Sequence, residues 1–227
     1  MKISKFVQIV KRRGRGIVIH LEGGGIVLST GTAIYKTPGL PDMHGEEQIR
    51  TVLDIEPKQM EKIYISEDYA QDISDIYGCN LSDGYDGTIG AKKLQTSVFV
   101  GGRFAQALEA DDGELIFYDD ALFEPLKDVE KESEYITLAV RKTPKGQRYV
   151  IFMDGFEVLA AVMPMDVVNE DYLKELKKFE EKVYRQLMRN EARKKEKEEA
   201  EKQGEFDPET GEIYEQQTIE GTEDEES

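Results

Sequence analysis

The sequence predicts an α+β fold: an antiparallel, strand-rich body with short helices, followed by a long charged C-terminal helix and a disordered acidic tail. Three patterns indicate it. Short β-rich runs alternate with glycine turns over residues 1–165. Apolar residues then recur at helical spacing over residues 169–190. The final segment, 204–227, holds ten acidic residues and no basic residue. We therefore divide the chain into a body (1–165), a helix (166–203) and a tail (204–227).

The first element is a short helix with Phe6, Ile9 and Val10 on one side, ending at the glycines Gly14 and Gly16. The runs 17–21 and 26–30 are rich in β-branched residues and are separated by Glu-Gly-Gly-Gly, which predicts a β-hairpin. Phosphate-binding glycine loops lead from a strand into a helix, whereas this one leads into a strand, so we interpret it as a turn.

The next part of the chain predicts a strand at 50–55 and a helix that begins at Pro57. Residues 66–96 are rich in Asp, Ser and Gly and predict no clear element. Within them, 83–87 (Asp-Gly-Tyr-Asp-Gly) lacks the alternating oxygen ligands and the terminal Glu of a calcium loop. We interpret it as two turns without a bound ion.

Residues 97–165 give the clearest strand patterns. We expect a strand at 97–100, a short helix at 102–110 and a strand at 114–118. An antiparallel meander of 135–141, 148–153 and 156–163 follows, with Asp154-Gly155 as a strong hairpin signal.

After Pro164, an apolar stripe predicts an amphipathic helix over 169–190; its members are Leu173, Leu176, Phe179, Val183 and Leu187. This stripe either packs on the β body or pairs with a second copy of the chain. Residues 191–203 continue as a solvated, charged helix. The tail either carries a short docking motif or only keeps the protein in solution.

Composition narrows the possible functions. The chain has 227 residues with 30 Lys+Arg against 47 Asp+Glu, a net charge of −17, and no apolar run approaches the roughly 20 residues that a membrane helix needs. No secretory signal is evident. The single cysteine, Cys79, cannot form an internal disulfide and is typical of a reducing compartment, so we expect a cytoplasmic protein without membrane contact.

No enzyme motif is present. Two histidines and one cysteine leave few soft ligands for zinc, so we predict no metal and no cofactor. We find no nucleophile elbow, Walker loop or His-Glu-x-x-His motif, and His20 lies in a strand pattern without an evident acid–base partner. The adjacent carboxylates at 111–112 and 119–120 fit turn and surface positions. We therefore expect no catalytic residues.

Positive charge is concentrated at the start, where residues 1–16 contain six basic residues and no acid. A basic segment on an acidic body is compatible with a surface that meets a phosphate backbone while the rest repels it. The alternative is a solvated basic turn without a partner.

Two segments resemble parts of the bacterial DNA sliding clamp, the ring-shaped processivity factor of replicative polymerases. Residues 99–110 (FVGGRFAQALEA) are similar to its helix segment, and Val162-Met-Pro-Met165 is similar to its closing strand. A weaker likeness covers 17–41. The chain departs from the family at Gly101, where Asn is usual, and at Asp166, where a basic residue is usual. It is also much shorter, so a closed ring either needs additional subunits or does not form.

The resemblance implies a non-catalytic DNA-replication accessory protein that contacts duplex DNA through basic helices without reading sequence. The residues that would contact DNA are Lys5, Lys11, Arg12, Arg13, Arg15, Lys58 and Lys62. It also implies a groove near the closing strand where peptides of replication proteins dock, and methionines suit such a groove because they repack readily. The groove residues would be Phe104, Val162, Met163, Pro164 and Met165. A homo-oligomer is the expected assembly.

Two other interpretations stay open. A single-stranded DNA-binding protein would stack bases on aromatic residues of the β body, for which the candidates are Tyr35, Tyr64, Phe99, Phe117 and Tyr118. An acidic protein that mimics DNA, or that assembles through the helix at 169–190, would instead use its negative surface to bind another protein.

Overall fold

The computed structural model describes residues 1–168, 170–203 and 209–210. They form two compact units that divide after Val167. The predicted acidic tail, apart from Glu209 and Thr210, lies outside the described residues. No helix in the described ranges combines the length and the apolar character needed to span a membrane.

The first unit contains ten strands and several short helices. The strands are β1 (Arg15–Leu21), β2 (Ile26–Ser29), β3 (Ala33–Lys36), β4 (Tyr64–Ala70), β5 (Ile89–Val100), β6 (Arg103–Ala110), β7 (Leu115–Asp119), β8 (Ile136–Lys142), β9 (Arg148–Asp154) and β10 (Glu157–Val162). The helices are α1 (Ile3–Arg13), α2 (Gly45–Val52), α3 (Pro57–Met60), a 3₁₀ helix (Asp120–Leu126) and α4 (Lys127–Glu132). The second unit contains α5 (Glu170–Gln203).

All ten strands belong to one sheet, in the order β4-β1-β2-β3-β10-β9-β8-β5-β6-β7. Neighbouring strands run antiparallel except for β4 and β1, which run parallel. This architecture confirms the predicted α+β fold. The predicted first hairpin and the meander of the last three strands are confirmed as well.

The centre of the sheet is built from two similar halves. In each half a helical segment precedes a three-stranded meander: α1 precedes β1–β3, and the 3₁₀ helix with α4 precedes β8–β10. The third strands of the halves pair antiparallel, with Tyr35 opposite Ala160. The helical segments also meet, because the Lys2 N–H donates to the Pro125 carbonyl at 2.8 Å.

Helices cover one face of the sheet, and the loop at 71–88 covers part of the other. On the helix face, Phe6 and Val10 of α1 pack with Tyr35 and Val150, and the Tyr35 hydroxyl donates to the Leu122 carbonyl at 2.6 Å. On the loop face, Ile76, Cys79 and Leu81 pack against the strands, including Ile17 and Ile151. Burying apolar surface on both faces stabilises the sheet.

The end of α1 follows from its sequence. Gly14 takes the left-handed conformation (φ 71°) that commonly terminates a helix and that a residue with a Cβ adopts at a cost. Lys11, Arg12 and Arg13 occupy the last turn, where positive charge is favourable near the negative end of the helix dipole.

Two predicted elements are wrong. Residues 102–110 form strand β6 rather than a helix: Gly101 and Gly102, both with positive φ, turn the chain back so that β6 pairs with β5 and with β7. Pairing on both edges outweighs the helical propensity of its alanines. Residues 50–55 form the end of α2 and the turn after it, in which Asp54 has a positive φ of 52°, rather than a strand.

The long C-terminal helix is confirmed as α5, which has 34 residues. Its five stripe residues, Leu173 to Leu187, are all exposed, Phe179 at 67%. Side-chain pairs one turn apart, such as Arg185 with Glu181, support the helix.

Candidate functional site

The basic residues at the end of α1 play different structural roles. Lys11 and Arg12 are exposed. Arg13 instead turns inward: its Nη2 donates to Asp119 Oδ2 at 2.6 Å, and its Nη1 donates to the Thr32 hydroxyl. Arg13 therefore joins α1 to the ends of β3 and β7, while Lys11 and Arg12 remain available to a ligand.

The other predicted DNA contacts are dispersed. Lys5 is half-buried, and Arg15 begins β1 on the face that also carries Ile17 and Ile19, which is the loop face. Lys58 and Lys62 are exposed. Residues 62–64 adjoin the end of α1, because the Tyr64 N–H donates to the Gly14 carbonyl at 2.9 Å. The structure thus places Lys62, two residues before Tyr64, near the end of α1 in space, and Arg15 on the loop face of the sheet.

A cleft of about 510 Å³ lies between the end of α1, the turn between β5 and β6, and the 3₁₀ helix. We call it the basic–aromatic cleft; it is lined by Arg12, Arg13, Arg103, Phe104 and Asp119, together with Asp120, Glu124 and neighbouring residues. The sequence linked Arg12 and Arg13 to DNA and Phe104 to a peptide groove. The fold brings all three together and adds Arg103.

An exposed aromatic pair stands at one edge of this cleft. Phe99 and Phe104 are cross-strand partners in the β5–β6 hairpin, with ring centroids 5.0 Å apart. Both are exposed, at 63% and 65%. Aromatic rings beside cationic side chains can stack on bases while the cations bind phosphates.

The acids of the cleft are already paired. Asp119 accepts from Arg13 and lies 3.9 Å from Arg103; Asp120 pairs with Lys93 at 2.8 Å, and Glu124 pairs with Lys127 at 2.5 Å. Within residues 1–167, no carboxylate lies within 4.0 Å of a Lys11 or Arg12 nitrogen. Arg12 is therefore a lining cation of the cleft without a carboxylate partner in that range, and Lys11 is its exposed neighbour in α1.

The predicted peptide-groove residues do not line one cleft with Phe104. Val162 is buried in the helix-face core, and Met163 packs on the loop face, where its sulfur lies 3.7 Å from the Cys79 sulfur. Pro164 and Met165 are half-buried, and the Met165 N–H donates to the Phe117 carbonyl. None of the four is among the described residues that line the basic–aromatic cleft.

The aromatic residues proposed for single-stranded DNA also separate. Tyr35, Phe117 and Tyr118 are buried, whereas Tyr64 and Phe99 are exposed. Of this set, Phe99 is the one paired with another exposed ring at the cleft.

A second group of residues was missed by sequence reasoning. The only two histidines of the chain, His20 on β1 and His44 before α2, stack with ring centroids 4.5 Å apart. Glu67 of β4 joins them: its Oε2 lies 3.0 Å from His20 Nε2 and 3.7 Å from His44 Nδ1. We call these three residues the histidine cluster. Nothing in their sequence spacing indicates it, because the parallel β1–β4 pairing creates it.

Surrounding groups orient the histidine cluster. Glu67 Oε1 accepts the Gly45 N–H at 2.8 Å, and this hydrogen bond, followed by the contact with His20, holds the pKa of Glu67 below its usual value. Tyr69 stacks on His20 with ring centroids 5.1 Å apart, and the backbone N–H of His44 donates to Gln48 Oε1 at 2.9 Å. Two imidazoles and a carboxylate form a ligand set that can hold a transition-metal ion.

Comparison of the chain with models of known protein families, with curated proteins and with solved structures found no match to any of them.

Proposed function

We propose that this protein is a non-catalytic DNA-binding accessory protein that contacts DNA at the end of α1. One observation carries the proposal: the exposed Arg12, next to the exposed Lys11 at the end of α1, lines a cleft to which the fold adds Arg103 and Phe104. Because Arg12 lies on α1 and Arg103 on β6, the cleft offers an anion two separate cationic contacts, more than a basic run on one helix would.

The distribution of charge along the chain also favours DNA binding at the end of α1. Phosphate contacts by Lys and Arg are independent of base sequence and give a large part of non-specific DNA affinity. The net charge of −17 repels DNA over most of the surface, so the basic end of α1 orients the approach.

The sliding-clamp resemblance gives the replication form of this proposal, in which duplex DNA is held by several copies of the chain. Two features bear on it in opposite directions. The helical segments α1 and Asp120–Leu126 adjoin on one face of the sheet, which suits a lining of helices. The segment 103–110, which the resemblance implied as a helix, is a strand.

Catalysis is not part of the proposal. Burial raises the pKa of the Cys79 thiol to about 12, so the group stays protonated and is a poor nucleophile. The carboxylates of the basic–aromatic cleft are engaged in ion pairs.

The exposed Phe99–Phe104 pair favours a second candidate, the binding of single-stranded DNA. Each stacked base contributes on the order of 1–3 kcal/mol, so two rings would give a measurable preference for a single strand over a duplex.

Binding of fluorescent duplex and single-stranded DNA of equal length, at low and at moderate salt, tests both candidates. Lys11→Ala combined with Arg12→Ala should weaken binding roughly tenfold at low salt and reduce the salt slope by about 2. Lys145→Ala, which removes an exposed cation from the β8–β9 turn, is the matched control and should bind as the wild type does.

Replacement of both Phe99 and Phe104 by alanine separates the two modes. Duplex binding should be retained if phosphates carry the affinity, whereas single-strand binding should fall at least about tenfold if the rings stack on bases. A wild-type chain that binds neither DNA at low salt, or a Lys11/Arg12 variant that binds normally, would refute the proposal.

A further inference from the structure

We infer that His20, His44 and Glu67 form a binding site for a single divalent transition-metal ion of the zinc class. The inference is independent of DNA binding, because the histidine cluster stands apart from the residues that line the basic–aromatic cleft.

The three side chains of the histidine cluster are ligands that zinc-class ions accept. Two imidazole nitrogens with one carboxylate oxygen are the protein ligands of zinc sites that keep a fourth position open, and other first-row ions accept the same three groups. The ligand atoms of His20, His44 and Glu67 all lie within 4.8 Å of one another.

The distances between the donor atoms of the cluster are close to those of a tetrahedral metal site. Ligand atoms about 2.0–2.2 Å from a tetrahedral ion lie roughly 3.4 Å from each other. The separations of Glu67 Oε2 from His20 Nε2 and from His44 Nδ1, 3.0 and 3.7 Å, bracket that value. The donor atoms of the third pair, on His20 and His44, lie within 4.8 Å of each other. The His44 side chain is 60% exposed and precedes α2, so metal binding would require its ring to rotate out of the stack with His20.

Neighbouring groups hold His20 and Glu67 in place. His20 is 94% buried within β1, which fixes one ligand on a rigid strand. Glu67 is fixed through its other oxygen by the Gly45 N–H, leaving Oε2 directed at both rings. Metal ligands are typically held by such outer hydrogen bonds, which orient the donor atoms before the ion arrives.

The three ligands also predict the direction of access to the ion and the kind of ion that is preferred. Three protein ligands leave at least one position to water, so the ion would be reached from the side of the exposed His44. Hard ions such as Mg²⁺ and Ca²⁺ prefer oxygen ligands, so we expect them to bind this site more weakly than Zn²⁺ does.

Calorimetric titration of the full chain with Zn²⁺ at about pH 7.5, where free imidazole is unprotonated, tests the site. We expect one ion bound per chain, with visible d–d absorption when Co²⁺ replaces Zn²⁺. His44→Ala and Glu67→Gln should each weaken binding at least about tenfold. The amide of Glu67→Gln still accepts the Gly45 N–H, which preserves the local fold.

Glu46→Gln is the matched control, since it removes the same charge from the exposed first turn of α2 without altering the cluster. It should bind Zn²⁺ as the wild type does. Wild-type protein that binds no Zn²⁺ would overturn the inference. Binding by His44→Ala and Glu67→Gln as tight as that of the wild type and of Glu46→Gln would also overturn it, and would assign the ions to scattered surface carboxylates. Circular dichroism of each variant excludes loss of fold as the cause.

Discussion

Arg141 of β8 is the largest fully buried side chain of the described residues, and it holds the loop at 71–88 on the sheet. Its Nε donates to the Thr88 hydroxyl at 2.8 Å, and its Nη1 donates to the carbonyls of Asn80 and Ser82 at 2.7 and 2.9 Å. The guanidinium also lies 5.1 Å from the centre of the Tyr85 ring. Burial lowers the pKa of Arg141; Nε and Nη1 are hydrogen-bonded, whereas the buried Nη2 has no hydrogen-bond partner among the described residues.

Replacement of Arg141 by methionine should destabilise the protein by about 2–4 kcal/mol, because the carbonyls of Asn80 and Ser82 lose their buried donor. The free energy of unfolding in urea measures the effect. Lys142→Met, at the exposed neighbouring position of the same strand, should change it by less than about 0.5 kcal/mol. Equal stability of the two variants would show that Arg141 does not anchor the loop.

At the scale of the element, β6 shows how partners decide a conformation. Residues 103–110 contain three alanines and a leucine, which favour a helix in isolation. The two glycines before them form a tight turn, and strands on both edges then provide backbone hydrogen bonds and cross-strand contacts. The aromatic pair at the basic–aromatic cleft exists only because this segment is a strand, since Phe99 and Phe104 face each other across the hairpin.

The helix α5 is the element with the clearest unsatisfied surface. At about 1.5 Å per residue its 34 residues extend roughly 51 Å. The exposed stripe suits the expected homo-oligomer, because a second copy would cover it. Leu176→Glu should therefore shift the protein towards monomer, since each buried leucine contributes about 1.5–3 kcal/mol.

Sedimentation velocity over a range of concentrations measures that shift. Lys178→Glu, which places the same residue on the opposite side of α5, should sediment as the wild type does. A wild-type chain that remains monomeric at every concentration would exclude pairing through the stripe.

At the scale of the molecule, the two compact units should be separable. Every fully buried apolar residue of the described ranges lies between Phe6 and Val167. A chain that ends at Val167 should thus keep the sheet and unfold within about 2 °C of the full chain. Thermal unfolding followed by circular dichroism checks this, and a midpoint lower by more than about 10 °C would show that α5 contributes to the stability of the body.

The amino-acid sequence was enough to predict the α+β class, the helix α1 with its glycine end, the first hairpin, the final meander and α5. These elements are set by local signals: periodic apolar residues, glycine and Asp-Gly turns, and β-branched runs. It also indicated the basic character of the end of α1, because that charge is contiguous in the chain.

How residues distant in the chain come together depends on the folded sheet. Folding made 103–110 a strand, turned Arg13 inward to Asp119, and separated Phe104 from the closing-strand residues Val162–Met165. Parallel pairing of β1 with β4 brought Glu67 to His20 and His44 across many residues of chain. Such pairings depend on the free energy of burying whole surfaces together, which is a property of the assembled sheet and is not encoded in any short window of sequence.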